Sequence, residues 1–249
     1  MNNVRTVSDT KRAFYNIHIR PINTIYRRVV EELLVEMHLL SVNTDFSYNP
    51  IYALGVFTAF ERFMQGYQPE RDQVSIFKAL CQAVENDPQQ YQQDAERIRA
   101  FAKSLSTQEL IAWISGATSL KETTVPSQFQ AIANNPSFKY SRLFAIGIFT
   151  LLELTDPELV KDEKQRTEAL KQISAALHLS EEKLQKDLEL YLSNLEKMAQ
   201  ALTVMADLLS AERKKRQQRS QTVAVVDPPI VDESSQAPGS PQDKASSGS

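Results

Sequence analysis

Three histidines, His18, His38 and His178, and one cysteine, Cys81, are the side chains best suited to hold a metal or attack an electrophile. A di-iron helical bundle needs Glu-x-x-His on facing helices. Tyr15, Val35 and Ala175 stand three residues before the histidines, so none fits. No HExxH pair and no second ligand cluster accompanies them, and no metal is expected. Cys81 shares a helical face with Phe77, Leu80 and Val84, which predicts a small buried hydrophobe with no basic neighbour to activate it. The six glycines, at 55, 66, 116, 147, 239 and 248, never fall two within five residues. That spacing excludes a phosphate-cradling Walker or dinucleotide loop. There is no G-x-S-x-G elbow and no paired-aspartate magnesium motif. These residues predict a protein that is not an enzyme, with no catalytic residue and no cofactor.

Charge offers more than nucleophiles do. The stretch FYNIHIRPINTIYRRVVEELL, residues 14–34, crowds His18, Arg20, Arg27, Arg28, Glu31 and Glu32 together. Arg27 and Arg28 precede Glu31 and Glu32 by four residues, spacing at which charges pair along one helix surface. His18 and Arg20 sit at the break before Pro21 and are candidate binding contacts. A second cationic cluster, Arg213, Lys214, Lys215, Arg216 and Arg219, closes the last helical pattern. It can be a solvated helix end, or it can attract anionic lipid headgroups or an acidic protein face. The turn at 212–219 is net +4 and residues 220–249 are net −3, which leaves the body, 1–211, at −4 within an overall −3. An acidic body argues against nucleic-acid binding, which needs a basic face to displace counterions.

The elements that must position these groups are helices. From Pro21 to about Leu40, apolar residues recur at i, i+3 and i+4, the period of one buried helical stripe. Asn49-Pro50, Gln68-Pro69, Asp87-Pro88, Asn135-Pro136 and Asp156-Pro157 each read as a cap followed by proline at the first helical position. Ser106 and Glu109 have capping-box spacing. No segment alternates as a strand does. The fold class is all-α, a compact multi-helix bundle of about ten helices.

Two segments echo each other. Tyr52–Thr58 aligns with Phe144–Thr150, and Glu61 with Glu153, at an offset of 92. Downstream, Gln68-Pro-Glu70 echoes Asp156-Pro-Glu158, and Ala79-Leu-x-Gln82 echoes Ala169-Leu-x-Gln172. Each half carries a mid-helix glycine, Gly55 or Gly147, at a cost of about 1 kcal/mol against alanine. The hypothesis is an internally duplicated helical unit whose glycine-bearing helices cross at the core.

From Ser180, Leu184, Leu188, Tyr191, Leu195, Met198, Leu202, Met205 and Leu209 step by 4 and 3, a coiled-coil seam. Leu192, Val204 and Leu208 widen it enough to pack part of it on the body. The expected division is a helical body (1–179), a long coiled-coil-like C-terminal helix with a basic end (180–219), and a Pro/Ser/Gly-rich disordered tail (220–249). One cysteine fits a reducing compartment. The start of the chain lacks a secretory signal, and its longest apolar run is too short to span a bilayer. The reading is a soluble chain.

Residues 6–43, TVSDTKRAFYNIHIRPINTIYRRVVEELLVEMHLLSVN, continued by DFSYNPIYALGVFTAFERFMQGY, 45–67, closely resemble the thylakoid formation protein family. The likeness extends more loosely through 76–83, 87–96 and 138–154, and the tail after about 219 contributes nothing. The resemblance implies a largely helical, non-catalytic interaction protein of photosystem II biogenesis and repair. It implies FtsH protease complexes and photosystem II assembly or repair components as partners. It also implies a cytoplasmic or stromal location, peripherally attached to thylakoids, and the lack of a transit segment points to the cyanobacterial branch. The family supplies no catalytic residues to carry over. A peripheral lipid-binding or membrane-organising protein is the alternative reading.

Overall fold

The computed structural model describes residues 5–116 and 126–223. Those residues form eleven helices, and no strand is present among them: α1 (Val7–Ile17), α2 (Thr24–Ser41), α3 (Pro50–Phe63), α4 (Glu70–Ala83), α5 (Pro88–Ala102), α6 (Thr107–Ile114), α7 (Pro126–Ala133), α8 (Arg142–Thr155), α9 (Pro157–Lys161), α10 (Glu163–Ala176) and α11 (Glu181–Val223). The expected all-α bundle is the observed class; the one-turn α9 brings the count above ten.

Local signals place most boundaries. Asn49, Asp87 and Asp156 cap the prolines that open α3, α5 and α9. Thr6 and Ser106 form capping boxes with Asp9 and Glu109. Three expectations fail. Pro69 is itself the N-cap of α4, which begins at Glu70 without a side-chain cap, so proline does not hold the first helical position there. Asn135-Pro136 opens a turn, with Asn135 Oδ1 accepting from Ser137 N, and α8 waits for its own cap, Ser141. The second helix starts at Thr24 rather than Pro21, because Asn23 caps it by accepting from Ile25 N.

The core is the crossing of α3 and α8. Both are apolar nearly all round, and residues 50–56 and 143–152 are buried without interruption. A helix with no polar face belongs at the centre of its domain. The crossing is close because both helices lack a side chain where they meet. A methyl carbon on Gly55 would lie 2.7 Å from the Leu143 carbonyl carbon and 2.9 Å from Gly147 N. One on Gly147 would lie 3.0 Å from both the Ile51 carbonyl carbon and its Cγ2. Each glycine faces the backbone four residues before the other, so the contact is reciprocal.

The duplicated unit extends well past this crossing. α3 and α8 each have 14 residues, as do α4 and α10. Asn49 and Ser141 cap the first helices, 92 apart. Phe46 and Phe138, also 92 apart, pack edge-on against Tyr52 and Phe144. The second helices end in the same turn: Glu85 and His178 adopt positive φ, and the amides of Asn86 and Leu179 donate to the carbonyls of Cys81 and Ser174. This is the Schellman arrangement, repeated at an offset of 93. The tyrosine before each cap then reaches the helix that follows: Tyr48 donates to Asp94 and Tyr140 to Asp187, both acceptors 93 apart. The downstream echoes at Gln68-Pro69 and at Ala79-Leu80 are therefore out of register. Glu70 corresponds to Glu163, and α9 is an insertion-like turn peculiar to the second half.

Contacts divide the chain into a unit ending at Leu202 and another beginning at Thr203. Within the first, the opening turns of α11 are core: Leu184, Leu188, Tyr191 and Met198 are buried. The coiled-coil seam is thus filled by the protein's own body up to Met198. α11 runs to Val223, past the expected end near Arg219, and the expected disordered tail from 224 onward lies outside the described residues.

Candidate functional site

The residues singled out at the Pro21 break do not converge on a reaction centre. His18 ends α1 as its C-cap and is buried, with Nδ1 3.0 Å from Ser75 Oγ on α4. Its Nε2 is buried without a partner. A serine beside a histidine invites comparison with a nucleophile–base pair, yet that pair needs a third group to orient the ring. Asp72 is the near carboxylate, and it is engaged by the Arg20 guanidinium instead. The arrangement clamps the end of α1 to the start of α4.

Burial sets the protonation of this junction. Desolvation holds His18 below the usual imidazole range, against the pull of Asp72. His38, buried with Nδ1 2.8 Å from Thr10 Oγ1, is lowered by burial too. Both groups bind protons more readily in the unfolded chain. Their contribution to stability is present above the ordinary histidine value and is lost as pH falls through it. Urea unfolding at pH 7.5 and 5.5 should show a smaller loss on acidification for His18→Gln than for the wild type. An unchanged loss would mean that the imidazole is not held neutral.

Cys81 is buried and its thiol is pushed up to about 12 by desolvation, as a core hydrophobe would be. Among the described residues no group of three or more His, Cys, Asp or Glu side chains could hold a metal ion.

The polar face of α2 is the place where charge and concavity coincide. Glu31 does not pair with Arg27: Lys11 Nζ and the Tyr15 hydroxyl, both on α1, donate to it at 2.8 Å each and hold it below the usual carboxylate range. Arg28 does pair with Glu32, at 3.1 Å and i, i+4 spacing. Glu36 accepts from Arg142 of α8 at 2.6 Å, and burial pushes the Glu36 carboxyl up. Beside this ridge lie two grooves. One, of about 580 Å³, has Ile25, Val29, Leu33, Phe63, Ile146 and Met198 among its walls, with Arg28, Glu32 and Lys197 at its polar edge. The other, of about 910 Å³, is lined by Lys11, Arg27, Arg28, Glu31, Glu32 and Lys183 among others. The first has the size and apolar character of a ligand or side-chain pocket. Two ion pairs line it, Arg28 with Glu32 and Arg142 with Glu36, which suits recognition better than proton transfer. Sequence periodicity missed the grooves because each is built by helices remote in the chain, the first by α2, α3, α8 and α11.

Arg213, Lys214, Lys215 and Arg216 are exposed on the last turns of α11, and the side chain of Arg219 lies outside the described residues. No described helix is long and apolar enough to cross a membrane.

Residues 6–220 match the protein family described as thylakoid formation protein. The chain belongs to the thylakoid formation protein family. It is 71% identical to Protein Thf1 of Nostoc punctiforme over 235 residues, covering 94% of this chain and all of that protein. It is 70% identical to Protein Thf1 of Trichormus variabilis, covering 92% of this chain and 99% of the other. A solved structure of Psb29 is similar too, with 45% identity and a TM-score of 0.74, covering 85% of this chain and 98% of that one. The long N-terminal resemblance is therefore part of a family match that runs through α11.

Proposed function

We propose that this thylakoid formation family member is a non-catalytic interaction protein of photosystem II biogenesis and repair, one that associates with FtsH protease complexes and stabilises them. Its place is the cytoplasmic side of the thylakoid, held peripherally. The observation that carries the reading is the family match across 6–220, in a chain whose concave polar surface carries the Arg28–Glu32 and Arg142–Glu36 ion pairs. Such a surface presents shape and charge for docking, and it offers no nucleophile with a base in reach. The ridge of α2, with Arg28 exposed at the edge of the apolar groove and Arg27 exposed on the second groove, is the proposed contact face. Arginine next to a desolvated apolar pocket is a common interface anchor.

The test is affinity purification of the whole chain from detergent-solubilised cyanobacterial thylakoids. Wild type should bring down FtsH subunits, and the double variant Arg27→Glu, Arg28→Glu should bring down at least about fivefold less while remaining helical. Failure of the wild type to retain FtsH would overturn the reading. Equal recovery by the variant would move the contact face elsewhere.

A further inference from the structure

Beyond the core, α11 changes character. Up to Met198 the residues Leu184, Leu188, Tyr191 and Met198 are buried, whereas in the unit that begins at Thr203 Val204 is 59% exposed, Leu208 63% and Leu209 50%. At about 100° per residue, Ala211, Val204, Leu208, Met205 and Leu209 occupy an arc of roughly 160°. Four cations, Arg213 to Arg216, follow directly. Lys215 and Arg216 fall within the same arc, each about two turns past a leucine, and Glu212 is the only acid there. Lys and Arg carry charge on long apolar stems, so they extend such a face while their heads reach outward. A wide apolar arc that ends in cations is the pattern of a helix lying in a membrane interface.

We propose that residues 203–218 of α11 bind the surface of an anionic lipid bilayer. Val204, Leu208 and Leu209 enter the boundary between headgroups and acyl chains, and Arg213, Lys214, Lys215 and Arg216 engage the headgroup anions. This deepens the peripheral membrane location proposed above and makes no use of the protease association. The charge pattern favours a bilayer over a second copy of the chain. Parallel pairing of two such helices would set four cations against four, and the open seam spans only about two heptads, short of the three to four that sustain a coiled coil. A planar anionic surface laid against the arc meets Lys215 and Arg216 directly and Arg213 beside its edge, with Lys214 adding at longer range, and each adds to the attraction until salt screens it.

The experiment is flotation of the purified full-length chain with vesicles of neutral lipid, or of neutral lipid containing about 30% anionic lipid, with no other protein present. Partitioning onto anionic vesicles at low salt should exceed that onto neutral vesicles by at least about tenfold, and should fall by a similar factor when salt is raised to about 0.5 M. Replacing Arg213, Lys214, Lys215 and Arg216 by Gln should abolish binding. Leu208→Ser with Leu209→Ser should weaken it at least about fivefold at fixed salt. All these positions are exposed, and circular dichroism of each variant checks that helicity is kept. Binding that ignores lipid charge, binding that survives loss of both leucines, or self-association without vesicle binding would each overturn the proposal. Because no FtsH is present, failure here leaves the co-purification result standing on its own.

Discussion

Alanine at Gly55 or at Gly147 should destabilise the body by about 3 kcal/mol or more, lowering the thermal midpoint by on the order of 10 °C. Intrinsic helix propensity points the other way, since Gly→Ala in a helix interior gains about 1 kcal/mol. Contact decides the sign. The added methyl at Gly55 would press on the Leu143 carbonyl and Gly147 N, and the one at Gly147 on the Ile51 carbonyl and its Cγ2. Backbone cannot rotate away as a side-chain end can, so the helices must separate, and the packing of two fully buried elements loosens with them. The two substitutions act on one contact. Once one has forced α3 and α8 apart, the second should cost less than it does alone, and the double variant should fall short of the sum. Gln92→Ala, on the exposed side of α5, should stay within about 0.5 kcal/mol. Urea or thermal unfolding of these four variants beside the wild type decides the matter. A Gly55→Ala protein as stable as wild type would mean that the helices do not cross this closely.

That crossing was also the part of the fold most open to sequence reading, and the reason is physical. A helix with apolar residues on every side has only one place to go, and a glycine in its middle has few uses other than close approach. Caps were readable for the same reason: Asn, Asp or Ser before the first turn does one local job. What sequence could not supply was register between distant elements. The echo at Ala79-Leu80 pointed to an offset of 90, while the repeated turn at Glu85 and His178 and the paired acceptors Asp94 and Asp187 set it at 93. The first echo rested on residue identity in a degenerate apolar pattern, whereas the second rests on a backbone conformation. Glu31 illustrates the same limit. Helical spacing offered Arg27 as its partner, and tertiary packing brought Lys11 and Tyr15 within 2.8 Å instead.

The candidate site was legible only where charge is local. The basic run at 213–216 announces itself in any composition plot, and its exposure was expected. Its neighbours Val204, Leu208 and Leu209 looked like the continuation of a coiled-coil seam, because a 3-4 spacing does not say which of its positions the chain's own core will fill. Leu184, Leu188, Tyr191 and Met198 are filled by the body while Val204, Leu208 and Leu209 are open, which turns the end of the coiled-coil seam into the apolar half of an amphipathic end. The α2 grooves had no sequence signature at all. Their walls come from α2, α3, α8 and α11, and no window of one helix carries that information.

The Glu36–Arg142 pair ties the grooved face to the core, and its loss should be strongly dependent on pH. Arg142 opens α8 and Glu36 lies on α2, and both side chains are mostly buried. Arg142→Met keeps the length and apolar stem of the side chain and removes the cation. It leaves a desolvated carboxylate, and the expected cost near pH 8 is about 2–4 kcal/mol, somewhat below that of a fully buried pair because water still reaches the guanidinium. Asp187 nearby adds repulsion of the same sign. The sign with pH follows from the direction of the shift. Desolvation raises the folded pKa of Glu36 above its unfolded value even with Arg142 present. Folding therefore favours the protonated form, and that contribution is present below the unfolded pKa and lost as pH rises through the folded one. Without Arg142 the folded value rises further. The destabilisation caused by Arg142→Met should accordingly shrink as the pH is lowered from 8 to 5. Glu36→Leu combined with Arg142→Met removes both charges, and should recover most of the stability at pH 8 because no uncompensated group remains. A single-variant loss that is the same at both pH values would show that Glu36 is hydrated in the folded protein, and that the ridge beside the grooves is held by packing alone.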